Sequence, residues 1–309
     1  MDGLPLNALP QNGPMFQRTL KAPIGCVGVG LHSGSRVSLT LRPAPPDHGI
    51  VFRRTDLGRD IPARYDFVTD GRLATSLVHP DDPAARIGTI EHLMAALAGT
   101  GVGNLLIEVD GPELPILDGS ASPYVFLIDC AGIAEQEAVR TMIEIRRPIR
   151  VAEGDSFVEL RPARAGLNGL EMTLSIDFAA AAIGRQSVSL HLTPMNFRHQ
   201  LCRARTFALA EEVERLRAAG LALGGSLENA VVVDQARVLN PGGLRMADEF
   251  ARHKLLDAVG DLALAGAAIH GRFIAHRSGH ALNNRLLRRL FTDRASWRAA
   301  SAELLSAAA

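Results

Sequence analysis

The periodicities along this chain run twice through one cycle, and that repetition constrains the fold more than any single motif. Residues 16–137 open on period-two strands such as "SRVSLTLRP", where Val37, Leu39 and Leu41 alternate with polar residues. They continue into the helical stretch "GTIEHLMAALAGTGVGN", with Thr89 as its N-cap and glycines ending it. A strand, "NLLIEVDG", and a helix, "ASPYVFLIDCAGI", follow. Residues 138–309 again begin with strands, in "RTMIEIRRPIRVAEGDSFVELRPA", "LEMTLSIDFA" and "QSVSLHLT". They pass through an amphipathic helix, "TFALAEEVERLRAAG", a short strand, "ENAVVVD", and a long helix, "DEFARHKLLDAVGDLAL". The strand "HGRFIAHRS" and the helix "HALNNRLLRRLF" complete the cycle. The expected fold class is α+β: two similar domains, 16–137 and 138–309, each a β-sheet with a layer of helices. Residues 1–15, rich in Pro, Asn and Gly, read as a flexible leader.

Aliphatic side chains must build the interior, because 47% of the 309 residues are hydrophobic and only 5% aromatic. Basic and acidic residues balance at 33 each, which argues against a general nucleic-acid binder with a basic excess. Cys26, Cys130 and Cys202 are widely spaced and form no CxxC pair, a pattern of a reduced cytoplasmic protein. The N-terminus lacks the basic and apolar regions of a signal peptide, and no uncharged apolar run reaches the roughly 18–20 residues of a spanning helix. The expectation is a cytoplasmic monomer without a membrane span.

The long helix places His253, Asp257 and Asp261 at i, i+4 and i+8 among Phe250, Leu255, Leu256, Val259 and Leu262. Side chains at i and i+4 stand roughly 6 Å apart, so a His and an Asp can converge on one cation. For HxxxD alone, a hydrogen-bonded pair on a wet face is the commoner outcome. The apolar surroundings weigh against it, since two carboxylates in a partly dry place need a cation or donors. A catalytic zinc takes three protein ligands and leaves one position open. "GTIEHLMAAL" offers His92 as the third, beside Glu91. Adjacent helical residues point about 100° apart, so Glu91 is placed to act as a general base and not as a ligand. HExxH is absent, and HxxEH fails because Gly88 stands where the first His is needed. "GCVGVGLHSG" does not fit a dinucleotide loop leading into a helix, and no Walker A sequence occurs. His280 opens a helix, either facing a cleft or merely capping it.

Seven motifs stand in order: "VGVGLHSG", "TIEHLMAALAGTGVGN", "ELPILDGSASPYV", "RARTF", "LGGSLENAVVVD", "DEFARHKLLDAVGD" and "SGHALNN". As a set they resemble the UDP-3-O-acyl-N-acetylglucosamine deacetylases, zinc amidases that commit Gram-negative bacteria to lipid A, and hence lipopolysaccharide, biosynthesis. The resemblance runs over residues 16–292. It implies two domains whose helix layers pack together at the interface, and one Zn2+ per chain on His92, His253 and Asp257, a set that also suits Fe2+. It implies Glu91 as general base, His280 as general acid or electrostatic stabiliser, Asp261 as the carboxylate orienting it, and Thr206 as a hydroxyl holding the amide oxygen. Lys254 matches a substrate-contacting lysine, and Phe207, Leu209 and Val213 match the lining of an acyl passage. Phe178 is expected against uracil and Arg277 against phosphate. Ser156 and the "AAAAIG" after "SIDF" depart from the family pattern on the nucleotide side. The implied substrate is a small-molecule UDP-glycolipid, giving acetate and a free amine. A zinc peptidase is the competing reading, but no peptide-binding motif is present. A non-catalytic glycolipid-binding protein would be expected to lack Glu91 or His280, and both are present.

Overall fold

The structure is a computed structural model that describes residues 15–69 and 73–302. All of the expected leader except Met15 therefore lies outside the described residues. The architecture is α+β. A five-stranded sheet draws on residues 24–109 alone, in the order Ile24–Val29, Arg36–Pro43, Leu105–Val109, Ile50–Arg54, Arg59–Pro62. Only the pairing of Ile50–Arg54 with Leu105–Val109 is parallel. Val37, Leu39 and Leu41 point inward as their alternation requires. Helices Glu91–Thr100 and Ser122–Ala131 pack together beside this sheet.

A seven-stranded sheet draws on residues 141–301 and centres on Ala268–His276. That strand is parallel to Thr141–Ile145 and to Leu170–Asp177 and antiparallel to Ser156–Arg161. Ile149–Glu153, Arg185–Leu192 and Trp297–Ser301 extend the sheet antiparallel. Helix Glu249–Ala263 lies against Leu170–Asp177 and Arg185–Leu192, and helix His280–Thr292 lies against Ile149–Glu153 and Ser156–Arg161. Strand Phe16–Leu20 pairs with Ile133–Val139 just before the chain enters the second sheet. We propose the domain division at 137/138, within that crossing.

The helix layers meet where Glu91–Thr100 packs along Glu249–Ala263. Every residue of the first helix except Ala98 is buried. The approach is backbone-close: a Cβ on Gly260 would collide with the Glu91 carbonyl. One apolar cluster runs through both halves, so the functional helices sit inside the core.

Three local expectations are corrected. Thr89 is not the N-cap; Ile90 takes that position, while Thr89 has a φ of 57° and gives its hydroxyl to Glu113 at 3.0 Å. The helix expected from Thr206 begins only at Ala210, because Phe207–Leu209 pairs in parallel with Val231–Val233 as a strand. β-Pairing of an apolar tripeptide has overridden its helical period. The stretch "LATSLVH", which reads from the sequence as a strand throughout, forms one only over Leu77–His79.

Candidate metal centre

The helix pair brings His92, His253 and Asp257 together, one ligand-type atom of each within 4.8 Å of the others. All three are buried. Asp257 Oδ1 stands 3.2 Å from His253 Nε2 and 3.7 Å from His92 Nε2. His253 Nδ1 lies 3.0 Å from the Ala204 carbonyl, which can only accept, so Nδ1 carries the proton and Nε2 keeps its lone pair. Burial, partly offset by Asp257, pushes His253 down to about 4, which keeps the ring neutral. Burial acts to raise the Asp257 carboxyl, but His253 and Lys254 outweigh it and hold it well below the usual carboxylate range. Lys254 Nζ donates to Oδ2 at 3.1 Å, whereas Oδ1 has no hydrogen-bond partner among the described residues. A buried anionic oxygen that faces the His253 lone pair at 3.2 Å, with the His92 ring nitrogen 3.7 Å away, is costly unless a cation sits between them. Two histidines and one aspartate suit zinc or a neighbouring divalent ion.

Beside this triad lies a connected group of ionisable side chains that also spans both halves. His280 Nδ1 lies 2.9 Å from Asp261 Oδ2, and its Nε2 lies 3.8 Å from Glu91 Oε1. Burial alone would lower His280, but Asp261, aided by Glu91, lifts it to about 9. Burial raises the Glu91 carboxyl, with His280 opposing. Thr75, which sequence reasoning passed over, ties the group together. Its hydroxyl donates to Asp261 Oδ1 at 2.5 Å, and its N–H donates to Glu91 Oε2 at 3.0 Å. Asn283 Nδ2 donates to Asp261 Oδ2 at 2.8 Å. Thr75 precedes the strand Leu77–His79 in sequence without charge or period, so only the fold exposes its role.

The remaining motifs are scaffolding for these atoms. In "RARTF", Arg205 forms a buried ion pair with Glu249 at 2.8 Å, fixing the segment to the start of the His253 helix. Ala204 then holds His253. Thr206 donates its N–H to the Gly119 carbonyl at 2.8 Å, and Gly119, at φ 79°, has no room for a Cβ beside the Asn229 carbonyl. Glu113 of "ELPILDG" accepts from the His32 and Ser33 amides at 2.8 and 2.9 Å, shaping the "GLHSG" turn.

Phe207 sits edge-on to both Phe178 and Phe250, with centroids 5.5 and 5.0 Å away, and 6.2 Å from the His253 ring. Leu209 and Val213 are half-buried, Leu209 on the strand and Val213 on the following helix. Phe178, Lys254 and Arg277 line one depression of about 340 Å3 together with Ser156. The resemblance nominated Phe178, Lys254 and Arg277 separately, and the fold gathers them beside Ser156.

The sequence profile of a family described as UDP-3-O-acyl N-acetylglycosamine deacetylase matches residues 17–292. A UDP-3-O-acyl-N-acetylglucosamine deacetylase of Myxococcus xanthus is 51% identical over 279 residues, covering 90% of this chain and 87% of its own. Proteins of the same name from Shewanella sp. strain W3-18-1 and Shewanella oneidensis are each 50% identical over 293 residues, covering 94% of both chains.

Proposed function

The chain belongs to the UDP-3-O-acyl N-acetylglycosamine deacetylase family, and from that premise we propose the following chemistry for its buried centre. The enzyme hydrolyses the N-acetyl amide of UDP-3-O-(3-hydroxyacyl)-N-acetylglucosamine, giving acetate and the free amine, the committed step of lipid A synthesis. Zinc is held by His92, His253 and Asp257, and ferrous iron fits the same donors. When bound, the ion supplies Lewis acidity at the amide carbonyl and lowers the pKa of water to about 7.

The chain's own groups account for the proton movements. Glu91, with its carboxyl raised by burial, accepts the proton of the attacking water. His280, cationic through Asp261, faces the developing negative charge and then protonates the departing amine. The Thr206 hydroxyl donates to the carbonyl oxygen, a contribution of about 3–4 kcal/mol for a well-placed donor. Lys254 contacts the substrate, Arg277 takes the diphosphate and Phe178 the uracil. Phe207, Leu209 and Val213 line the way for the acyl chain. Free Cys26, Cys130 and Cys202 suit the reducing cytoplasm, where the protein acts as a monomer. Among the described residues no helix is long and apolar enough to cross a membrane.

The observation that carries this reading is Asp257 Oδ1, buried without a donor between His92 and His253. Acetate release from the UDP-glycolipid tests it. Chelation should abolish release and zinc should restore it, while Glu91→Ala should retain the metal and lose several orders of magnitude in rate. Near-normal turnover by Glu91→Ala would remove Glu91 from the base role.

A further inference from the structure

A cavity of about 590 Å3 lies on the reverse side of the two helices that carry the metal ligands. With about 100° between successive residues, Val259, Leu262 and Ala263 project from the face opposite His253, Asp257 and Asp261. Met94, Leu97 and Ala98 project likewise from the back of the His92 helix, and all six line the cavity. Leu170 and Ile269 of the seven-stranded sheet close its other wall. None of the residues assigned to catalysis, metal or substrate lines it. The volume falls within the roughly 300–1,000 Å3 of small-ligand sites.

Three arginines, Arg18, Arg64 and Arg140, line the cavity. Arg18 is paired with Glu135 and Arg64 with Asp66, each at 2.6 Å, but the Arg140 guanidinium has neither a hydrogen bond nor a carboxylate partner among the described residues. Its backbone is pinned, the N–H donating to the Met15 carbonyl at 2.8 Å and the carbonyl accepting from Ala302 at 3.0 Å. Burial and the nearby Arg18 push the guanidinium down to about 10. The one carboxylate on the lining, Asp47, accepts from Gln17 Nε2 at 2.7 Å. A half-buried guanidinium with no carboxylate partner among the described residues is open to an anion, and a planar carboxylate is its natural complement.

We propose that this cavity binds a single-chain aliphatic anion, a free fatty acid, with its carboxylate on Arg140 and its chain along the backs of the two metal-bearing helices. The site is separate from the proposed acyl passage, whose residues Phe207, Leu209 and Val213 do not reach it. It stands whether or not the catalytic reading holds.

Carboxyl-labelled dodecanoate titrated into the full chain and followed by NMR tests this. Wild type should bind it, and Arg140→Met should weaken that binding about tenfold or more, the cost of a charge-assisted pair. Dodecanol, with the same chain and no charge, should bind more weakly than dodecanoate and be indifferent to Arg140→Met. Ala98→Trp should fill the cavity and block both, with a thermal melt checking that each variant folds. If Ala98→Trp does not fold, Arg140→Met and the alcohol carry the decision. Wild type that binds no dodecanoate, or an Arg140→Met variant that binds it as wild type does, would overturn the proposal.

Discussion

His280 is held to Asp261 by a 2.9 Å contact between Nδ1 and Oδ2, in a site where burial alone would strip the imidazole of its proton. The carboxylate wins, and the ring titrates near 9. Both groups come from the second half of the chain, yet the imidazole's other nitrogen faces Glu91 of the first. The geometry of His280 between Asp261 and Glu91 therefore depends on the halves keeping their relative position.

The pH dependence follows in sign and window. A histidine raised from 6.5 to about 9 contributes stability that is fully present below about 6.5 and lost as pH rises through 9. The span corresponds to about 3 kcal/mol. The rate should fall on the alkaline side near 9, and Asp261→Asn should move that limb to lower pH. An unchanged alkaline limb in a pH profile of kcat/KM would remove Asp261 from this role.

Thr75→Val deletes one hydroxyl and leaves the amide that holds Glu91. The expected result is a fall in kcat of about tenfold with KM nearly unchanged, from the loss of one hydrogen bond to a charged group. Thr75→Ser should restore most of the rate. A Thr75→Ser variant as slow as Thr75→Val would point to packing instead of the hydroxyl.

Gly260→Ala places a methyl against the Glu91 carbonyl at the helix crossing. Overpacking of this kind costs about 1–3 kcal/mol. A melting temperature lowered by several degrees, with reduced turnover, is the outcome to look for in a thermal scan. An unchanged melting temperature would mean the helices separate freely there.

Arg277 lines the depression shared with Lys254 and Phe178 and has no ion pair among the described residues. Arg277→Ala should raise KM about tenfold and leave kcat close to wild type, because it removes binding common to ground and transition states. Steady-state kinetics with the UDP-glycolipid decide this, and a fall in kcat alone would contradict it.

The closeness of His253 and Asp257 was legible because a helix enforces i, i+4 proximity, while only their apolar neighbours argued against a wet face. The long period-two and period-3.6 segments gave the α+β class for the same reason. Sequence order could not show that Gly260 lets the helices close on Glu91, which is what brings His92 to the pair. Nor could it show Thr75, an uncharged residue in an irregular segment. Phe207–Leu209 misled because three apolar residues before an amphipathic run carry no period of their own, and pairing with Val231–Val233 decided their form. The cavity at Arg140 was invisible for a related reason: its walls come from both halves and its cation is defined by a missing partner.

The central claim is that His92, His253 and Asp257 form one metal centre across the helix pair. Metal content and the visible spectrum of the cobalt-substituted protein test it most directly. Wild type should hold one ion per chain with the absorption of a low-coordinate nitrogen–oxygen site, and His253→Ala should lose most of both while remaining folded. A folded His253→Ala protein with full occupancy and an unaltered spectrum would contradict the account.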